Sequence, residues 1–397
     1  MSGRKASLAV IFGIVFIDLI GFGIVIPVLP LYAERFGASP LVVGCLLAVY
    51  SLMQTVFAPI LGRWSDRIGR RPVLLVSIIG SSIGFLLMGM ARALPLLFVG
   101  RIIDGITGGN ISTAQAYIAD VTPAHERSKG MGLIGAAFGL GFIFGPAIGG
   151  VMSHFSLSAP LLFAAGLAAL NAVAVYLFLP ESLSKEHRKG DISGNVPFFM
   201  MFQQARGSAL AVVIGAYFFS TVAFSLLTAT YPLFASHRFG FGAPQVGYIF
   251  AGMGILGAMV QGGLMGWLVK TFGDKRLTIA GTFVLAMCLF LLPMSPTALV
   301  LFAATGGIGL GHALSTAPLN GLASKTAGPA AQGKVLGAMQ SASSLARIIG
   351  PVLGGWMLNQ DLLRMEAHYG RAPYWTGGVI MLVACGLAVS LRLSDGS

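Results

Sequence analysis

Five side chains able to carry charge stand inside long apolar runs of this 397-residue sequence: Asp18, Arg101, Asp104, His312 and Arg347. Hydrocarbon disfavours a charge by roughly 2.5 to 3.5 kcal/mol on insertion scales, so an ionisable residue at that depth marks proton, ion or substrate handling by default. Asp18 has a carboxyl that can gain and lose a proton. It either couples proton movement to binding or serves as a hydrogen-bonded strut for an unwound stretch over 21–27. Arg101 and Asp104 are three residues apart, share one helical face and can form a local ion pair. His312 either takes part in proton movement or stands neutral and hydrogen-bonded in a core. Arg347 cannot shed its charge and needs an anion, either an acid of the protein or a carboxylate or phosphate of a ligand.

Neighbouring apolar runs extend the candidate substrate-binding set with Tyr50 and Gln54, Asn110 and Gln115, and Tyr217 and Phe224, beside His312 and Arg347. Phe218, Phe219, Phe224 and Tyr231 are suited to an apolar wall or to contact with lipid. The inventory does not suit an enzyme. No metal-ligand spacing occurs, and Cys45, Cys288 and Cys385 form no short pair. Gly252–Gly257 and Gly80–Gly84 spell a dinucleotide fingerprint and a nucleophile elbow, but each lies in an apolar run without the strand it needs. Catalytic residues, metal and cofactor are all expected to be absent.

The elements that must carry these groups follow from composition. Hydrophobic residues make up 56% of the chain and charged ones 10%, with a mean hydropathy of +0.85, whereas soluble domains carry about 25% charge. Apolar stretches long enough to cross ~30 Å of hydrocarbon as helix fall at 7–33, 40–61, 72–92, 95–120, 130–153, 158–180, 209–235, 243–271, 277–293, 296–322, 333–358 and 373–392. The expectation is an all-α membrane protein of twelve transmembrane helices, the first retained rather than cleaved as a leader. Eighteen of the 25 Lys and Arg residues fall on one side of these spans and five on the other, which predicts cytoplasmic termini. The net charge of +12 is therefore a topological signal, and no nucleic-acid partner is expected.

The sequence repeats at a little over 200 residues. Gly145-Pro146-Ala147-Ile148-Gly149-Gly150 returns as Gly350-Pro351-Val352-Leu353-Gly354-Gly355, Ser112-Thr113-Ala114 as Ser315-Thr316-Ala317, and Gly69 is matched by Gly273. Two pseudo-symmetric six-helix bundles, 1–180 and 207–397, joined by a polar cytoplasmic linker at 181–206, are the simplest reading. Parallel repeats of this kind occur in secondary transporters.

Several motifs carry a more specific resemblance. Gly62-Arg63-Trp64-Ser65-Asp66-Arg67-Ile68-Gly69-Arg70-Arg71-Pro72 resembles the loop between spans 2 and 3 of the major facilitator superfamily. The resemblance implies a gating latch: Asp66 caps the start of span 11, Asp120 pairs with Arg67 or Arg70, and Gly62, Gly69, Arg71 and Arg127 belong to the same set. The stretch 135–150, with Gly141, Gly145, Pro146 and Gly149, resembles the antiporter signature of the twelve-span drug:proton antiporter branch, which implies a kinked helix sealing the two halves. The run 18–30 is similar to the first span of tetracycline efflux proteins, implying that Asp18 serves substrate or proton coupling. The run 101–105 is similar to the span 4 motif, implying that Arg101 assists proton transfer, and departs from it at Asp104. Tetracycline pumps also carry acids in spans 3 and 9, and this chain has none in 72–92 or 277–293.

Together the resemblance implies a proton-coupled secondary transporter that exports small amphipathic molecules by alternating access. Its partners would be a small-molecule cargo, protons and the lipid bilayer. It would work as a monomer in a bacterial inner membrane, with the proton gradient as energy source and no cofactor. The alternatives are a proton-coupled symporter, against which the span 5 glycines argue, and an exporter of an anionic or zwitterionic metabolite, sugar or lipid, which Arg347 would suit.

Overall fold

The computed structural model of the protein describes residues 2–123, 126–183, 209–327, 332–363 and 369–391, with side chains for all of these except 2–7, 127–129, 327 and 332–334. Every regular element among them is helical. Backbone groups in hydrocarbon have no water to bond and must be satisfied within the segment, which a helix does. The helices are α1 (Ser2–Glu34), α2 (Pro40–Ile68), α3 (Arg70–Gly89), α4 (Leu94–Ile106), α5 (Asn110–Val121), α6 (Arg127–Ser153) and α7 (Ala159–Phe178). After them come α8 (Ala209–Phe239), α9 (Ala243–Ala258), α10 (Met265–Leu291), α11 (Ala298–Ala327), α12 (Gln332–Leu363) and α13 (Arg371–Ser390). The linker expected at 181–206 lies outside the described residues from 184 onward.

Among the described residues nine helical segments are long and apolar enough to cross a membrane. Three of the expected spans take an unexpected form. Span 4 is two helices, α4 and α5, interrupted at 107–109. Span 8 runs from α9 through a π-helical stretch, Met259–Leu264, into the first part of α10, and the non-helical Gly273 divides it from span 9 where the sequence places the boundary. Span 11 is the 32-residue helix α12, too polar to belong to the nine. The unwinding considered for 21–27 does not occur: α1 is continuous with Pro27 and Pro30 inside it.

Two of the chain reversals reduce to a single glycine. Gly69 separates α2 from α3 at φ +114°, and Gly273 breaks α10 at φ +76°. Any side chain would strain this left-handed backbone. The loop containing Gly69 and its degenerate echo therefore make the same turn at matching places in the repeat.

The chain divides into two compact units. One comprises Met1–Ala38, Val49–Ile192 and Phe241–Ala251, and the other Ser39–Ala48, Ser193–Gly240 and Gly252–Ser397. Within the first, α1 packs on α6 and α7, and α3 on α4, α5 and α7; within the second, α8 packs on α12 and α13, and α10 on α11 and α13. The pairing is the same in both: first span with fifth and sixth, third span with fourth and sixth.

Small residues make the first-to-fifth contact close. On α6, Gly141, Gly145 and Gly149 face α1, and a methyl at Gly145 would lie 2.6 Å from the Gly23 Cα. These three glycines therefore pack on span 1 of their own half. The next glycine, Gly150, meets Pro244 and Gly247 of α9, where a methyl would stand 3.0 Å from the Pro244 carbonyl. The counterpart contact in the second unit sets Gly44 of α2 against Pro351 and Gly355 of α12.

Candidate transport site and gate

Asp18 lies midway along α1, and α5 brings Asn110 to it: the amide Nδ2 donates to Asp18 Oδ1 at 2.7 Å. The break in span 4 makes this possible, because Asn110 opens a new helix rather than continuing the line of α4. A break in a helix also leaves carbonyls without their usual donors. Gln54 of α2 answers this, its amide donating to the Gly108 carbonyl at 2.8 Å and to the Tyr50 hydroxyl at 3.2 Å. Close approach of α2 depends on Gly105, where a methyl would fall 2.7 Å from the Tyr50 carbonyl.

Arg101 and Asp104, one turn apart on α4, are both buried, and Arg101 Nη1 donates to Asp104 Oδ2 at 3.2 Å. The guanidinium also stacks over the Tyr50 ring, 4.2 Å from its centroid, a favourable placement for a desolvated cation. Ser81 of α3 lies beside Asp104, and Phe22 of α1 touches Tyr50 at 5.9 Å between ring centroids. Two membrane carboxylates are thus held differently, Asp18 by a neutral amide and Asp104 by a guanidinium. The first arrangement suits a group that exchanges a proton, and the second suits a fixed ion pair.

The second unit holds a separate group. His312 of α11 stacks face to face on Phe224 of α8, with centroids 3.8 Å apart and planes within 10°. Its ring nitrogens lie 3.4 and 3.5 Å from the Thr316 hydroxyl. Arg347 is half-buried midway along α12. Tyr217 packs on the apolar cluster of Val213, Leu319 and Met339. Tyr231 does not belong to a wall, because it is fully buried and its hydroxyl lies 3.3 Å from that of Thr305. Gln115 is exposed on α5, away from the buried face that carries Asn110.

At the arginine-rich end Arg70 is the hub. It is buried, its Nη1 donates to Asp66 and, at 2.6 Å, to the Ser65 hydroxyl, and its Nε donates to Asp120 at 3.1 Å. Of the two arginines expected to meet Asp120, it is Arg70 that does. Asp66 is 61% exposed beside it, and Arg67 and Gly62 line the same end of α2. Arg71 donates to the Tyr176 carbonyl at the close of α7 and lies over the Tyr176 ring. A cation there complements the negative end of the helix. Arg127 opens α6, and its side chain lies outside the described residues.

Two features of this end were not singled out from sequence. Glu181, expected in the linker, caps α3: its carboxylate accepts from the Arg70 and Arg71 amides at 2.9 and 3.2 Å. Gly69 has no side chain to do this, so the cap comes from a residue more than a hundred positions away. The second feature is a reversed copy of the Arg70–Asp120 pair. Asp274 directly follows Gly273, as Arg70 follows Gly69, and it pairs with Lys325 near the end of α11 at 2.6 Å. Lys275 then donates to the Leu391 carbonyl at the close of α13 at 2.6 Å, as Arg71 does at the close of α7. The repeat offset already pointed to Asp274, but the opposite signs concealed the match.

Comparison with known proteins agrees with this architecture. The family model described as Major Facilitator Superfamily matches residues 11–351 and 213–396. The chain is 34% identical over 386 residues to the tetracycline resistance protein, class E, of Escherichia coli, covering 95% of this chain and 91% of that one. It is 30% identical to multidrug resistance protein 2 of Bacillus subtilis (strain 168), covering 97% and 95%. A bacterial homologue of the human lysosomal transporter Spinster, in an inward-facing and occupied conformation, has the same fold with TM-score 0.80 at 15% identity over the whole of both chains. The human organic anion transporter MFSD10 matches with TM-score 0.72 at 24% identity, covering 97% and 99%. The repeated helix pairing, the left-handed glycine turns and these relatives together make the chain a multi-pass membrane transporter that belongs to the major facilitator superfamily.

Proposed function

We propose that the protein exports small amphipathic molecules in exchange for protons, by alternating access, from a bacterial cytoplasm across the inner membrane with both termini inside. The observation that carries this reading is Asp18, a mid-membrane carboxylate held by Asn110 at the break in span 4. A carboxylate bound only through an amide can take up a proton without breaking an ion pair. Cargo and proton then compete for one site, which couples their movements in opposite directions. Arg101, fixed on Tyr50 and Asp104, supplies a standing positive charge beside that site. Relatives whose names record tetracycline and multidrug resistance support the cargo class.

Tetracycline is one candidate among several, because spans 3 and 9 lack acids. Phe224 stacked on His312 offers an apolar platform, and Arg347 suits a cargo that carries an anionic group. Arg70, Asp66, Asp120 and Glu181 act as the gate at the cytoplasmic end. The protein works as a monomer, driven by the proton gradient without a cofactor.

Purified protein in proteoliposomes under an imposed pH gradient, offered tetracycline, ethidium and norfloxacin, tests the reading. Wild type is expected to move at least one of them against its gradient, and Asp18→Asn to reduce that movement at least tenfold. Unchanged driven transport in Asp18→Asn overturns the coupling role.

A further inference from the structure

A chain of buried hydroxyl groups runs from the two membrane carboxylates to the arginine-rich end, inside one unit. On α3, Arg70, Ser77 and Ser81 fall at intervals of seven and four, a single narrow stripe of a helix. On α5, Asn110, Thr113, Tyr117 and Asp120 likewise share a face. Each stripe ends at a membrane carboxylate on one side, and the two meet in an ion pair on the other. At the membrane end Ser81 lies beside Asp104 and Asn110 bonds Asp18; at the other, Arg70 bonds Asp120. α3 packs on α5, and each stripe continues from its membrane carboxylate to the Arg70–Asp120 pair by way of a buried hydroxyl. Ser77 and Thr113 carry these hydroxyls. They are 0% and 1% exposed, and neither hydroxyl has a hydrogen-bond partner among the described residues.

A buried hydroxyl left without a partner costs about 1 to 3 kcal/mol, and native proteins meet that demand with ordered water where the site is polar. In a membrane helix the easy remedy is a bond to the carbonyl one turn back, which Thr107, Thr278 and Thr282 all make. Ser77 and Thr113 do not make it.

We propose that Ser77 and Thr113 position a file of water through which Asp18 exchanges its proton with the arginine-rich end. The ten residues from Asn110 to Asp120 span ~15 Å of helix, and a hydrogen-bonded link covers ~2.8 Å. The two hydroxyls with a few water molecules between them therefore complete the distance. Each link donates one proton and accepts one. Asp18 leaves the exchange as carboxylate, and one proton emerges at the Asp120 end into solution. The charged groups along the route are Asp18, Arg101 and Asp104 at its start and Arg70, Asp66 and Asp120 at its exit.

This inference rests on the proton-coupled reading above and is tested separately from it. The measurements are gradient-driven transport and gradient-free cargo-for-cargo exchange in proteoliposomes, with whichever of tetracycline, ethidium and norfloxacin the wild type carries. Exchange needs the loaded protein to change state but no net proton movement. The double variant Ser77→Ala/Thr113→Val is expected to slow driven transport at least tenfold while exchange stays within twofold, and Thr113→Ser, which keeps its hydroxyl, is expected to behave as wild type. Equal loss of both activities would mean the two residues serve packing, and unchanged driven transport would mean the proton leaves by another route; either result overturns the proposal. If Asp18→Asn retains driven transport, the proton-coupled reading itself fails and this inference falls with it. If only the double variant is silent, that reading survives.

Discussion

At the scale of single residues, the protein's chemistry rests on how two neighbouring acids are held. Asn110→Leu removes the amide that holds Asp18. A hydrogen bond to a charged group contributes ~1.5 to 3 kcal/mol, so driven transport is expected to fall by about 10- to 100-fold while the protein still folds, as size-exclusion chromatography would check. Tyr50→Leu tests the other acid's anchor. Loss of the ring under Arg101 removes ~2 kcal/mol of cation–π attraction, and Tyr50→Phe, which keeps the ring, is expected to keep most of the transport rate. Asp18, Arg101 and Asp104 were legible in the sequence because a charge in an apolar run is conspicuous. The Asn110 contact was not, since it joins positions 92 apart and depends on a helix break that no proline announces. Ser77 and Thr113 were equally hidden, because serine and threonine are ordinary in membrane helices.

At the scale of elements, glycine decides which helices touch. Gly145 has the Gly23 backbone against it, whereas Gly139, almost two turns earlier on the same helix, has nothing within 4 Å of its missing side chain. Gly145→Ala is expected to lower the melting temperature in detergent, consistent with an overpacking cost of about 1 to 3 kcal/mol. Gly139→Ala is expected to leave it unchanged or raise it slightly, because alanine is the better helix former. A stripe of glycines at spacing four told the sequence reader that some helix packs closely there. Which helix it was could not be read, because the spacing describes one face and is silent about its neighbour. The apolar periods placed the spans well, including the division of span 8 from span 9 at Gly273, but they could not show that span 4 is broken. That outcome turns on the backbone torsions at 107–109.

At the scale of the whole molecule, the two repeats are braced alike with opposite polarity: Arg70 to Asp120 in one, Asp274 to Lys325 in the other. If the brace works through attraction alone, its sign is interchangeable. Asp274→Lys is expected to reduce transport severalfold, and Asp274→Lys/Lys325→Asp to recover most of it; failure of the reversed pair to recover would assign Asp274 a role beyond the brace. Recurrence of the short motifs made the two-fold organisation legible from sequence, and identical helix pairing in the two halves is its structural counterpart. The turns at Gly69 and Gly273 also bear on how such a chain can change over generations. A glycine codon reaches only residues with a side chain by a one-base missense change, and at these torsions each of them is strained. No missense step at these two positions is neutral, so random variation should erode them last, and libraries randomised at either codon should return almost only glycine under selection for export.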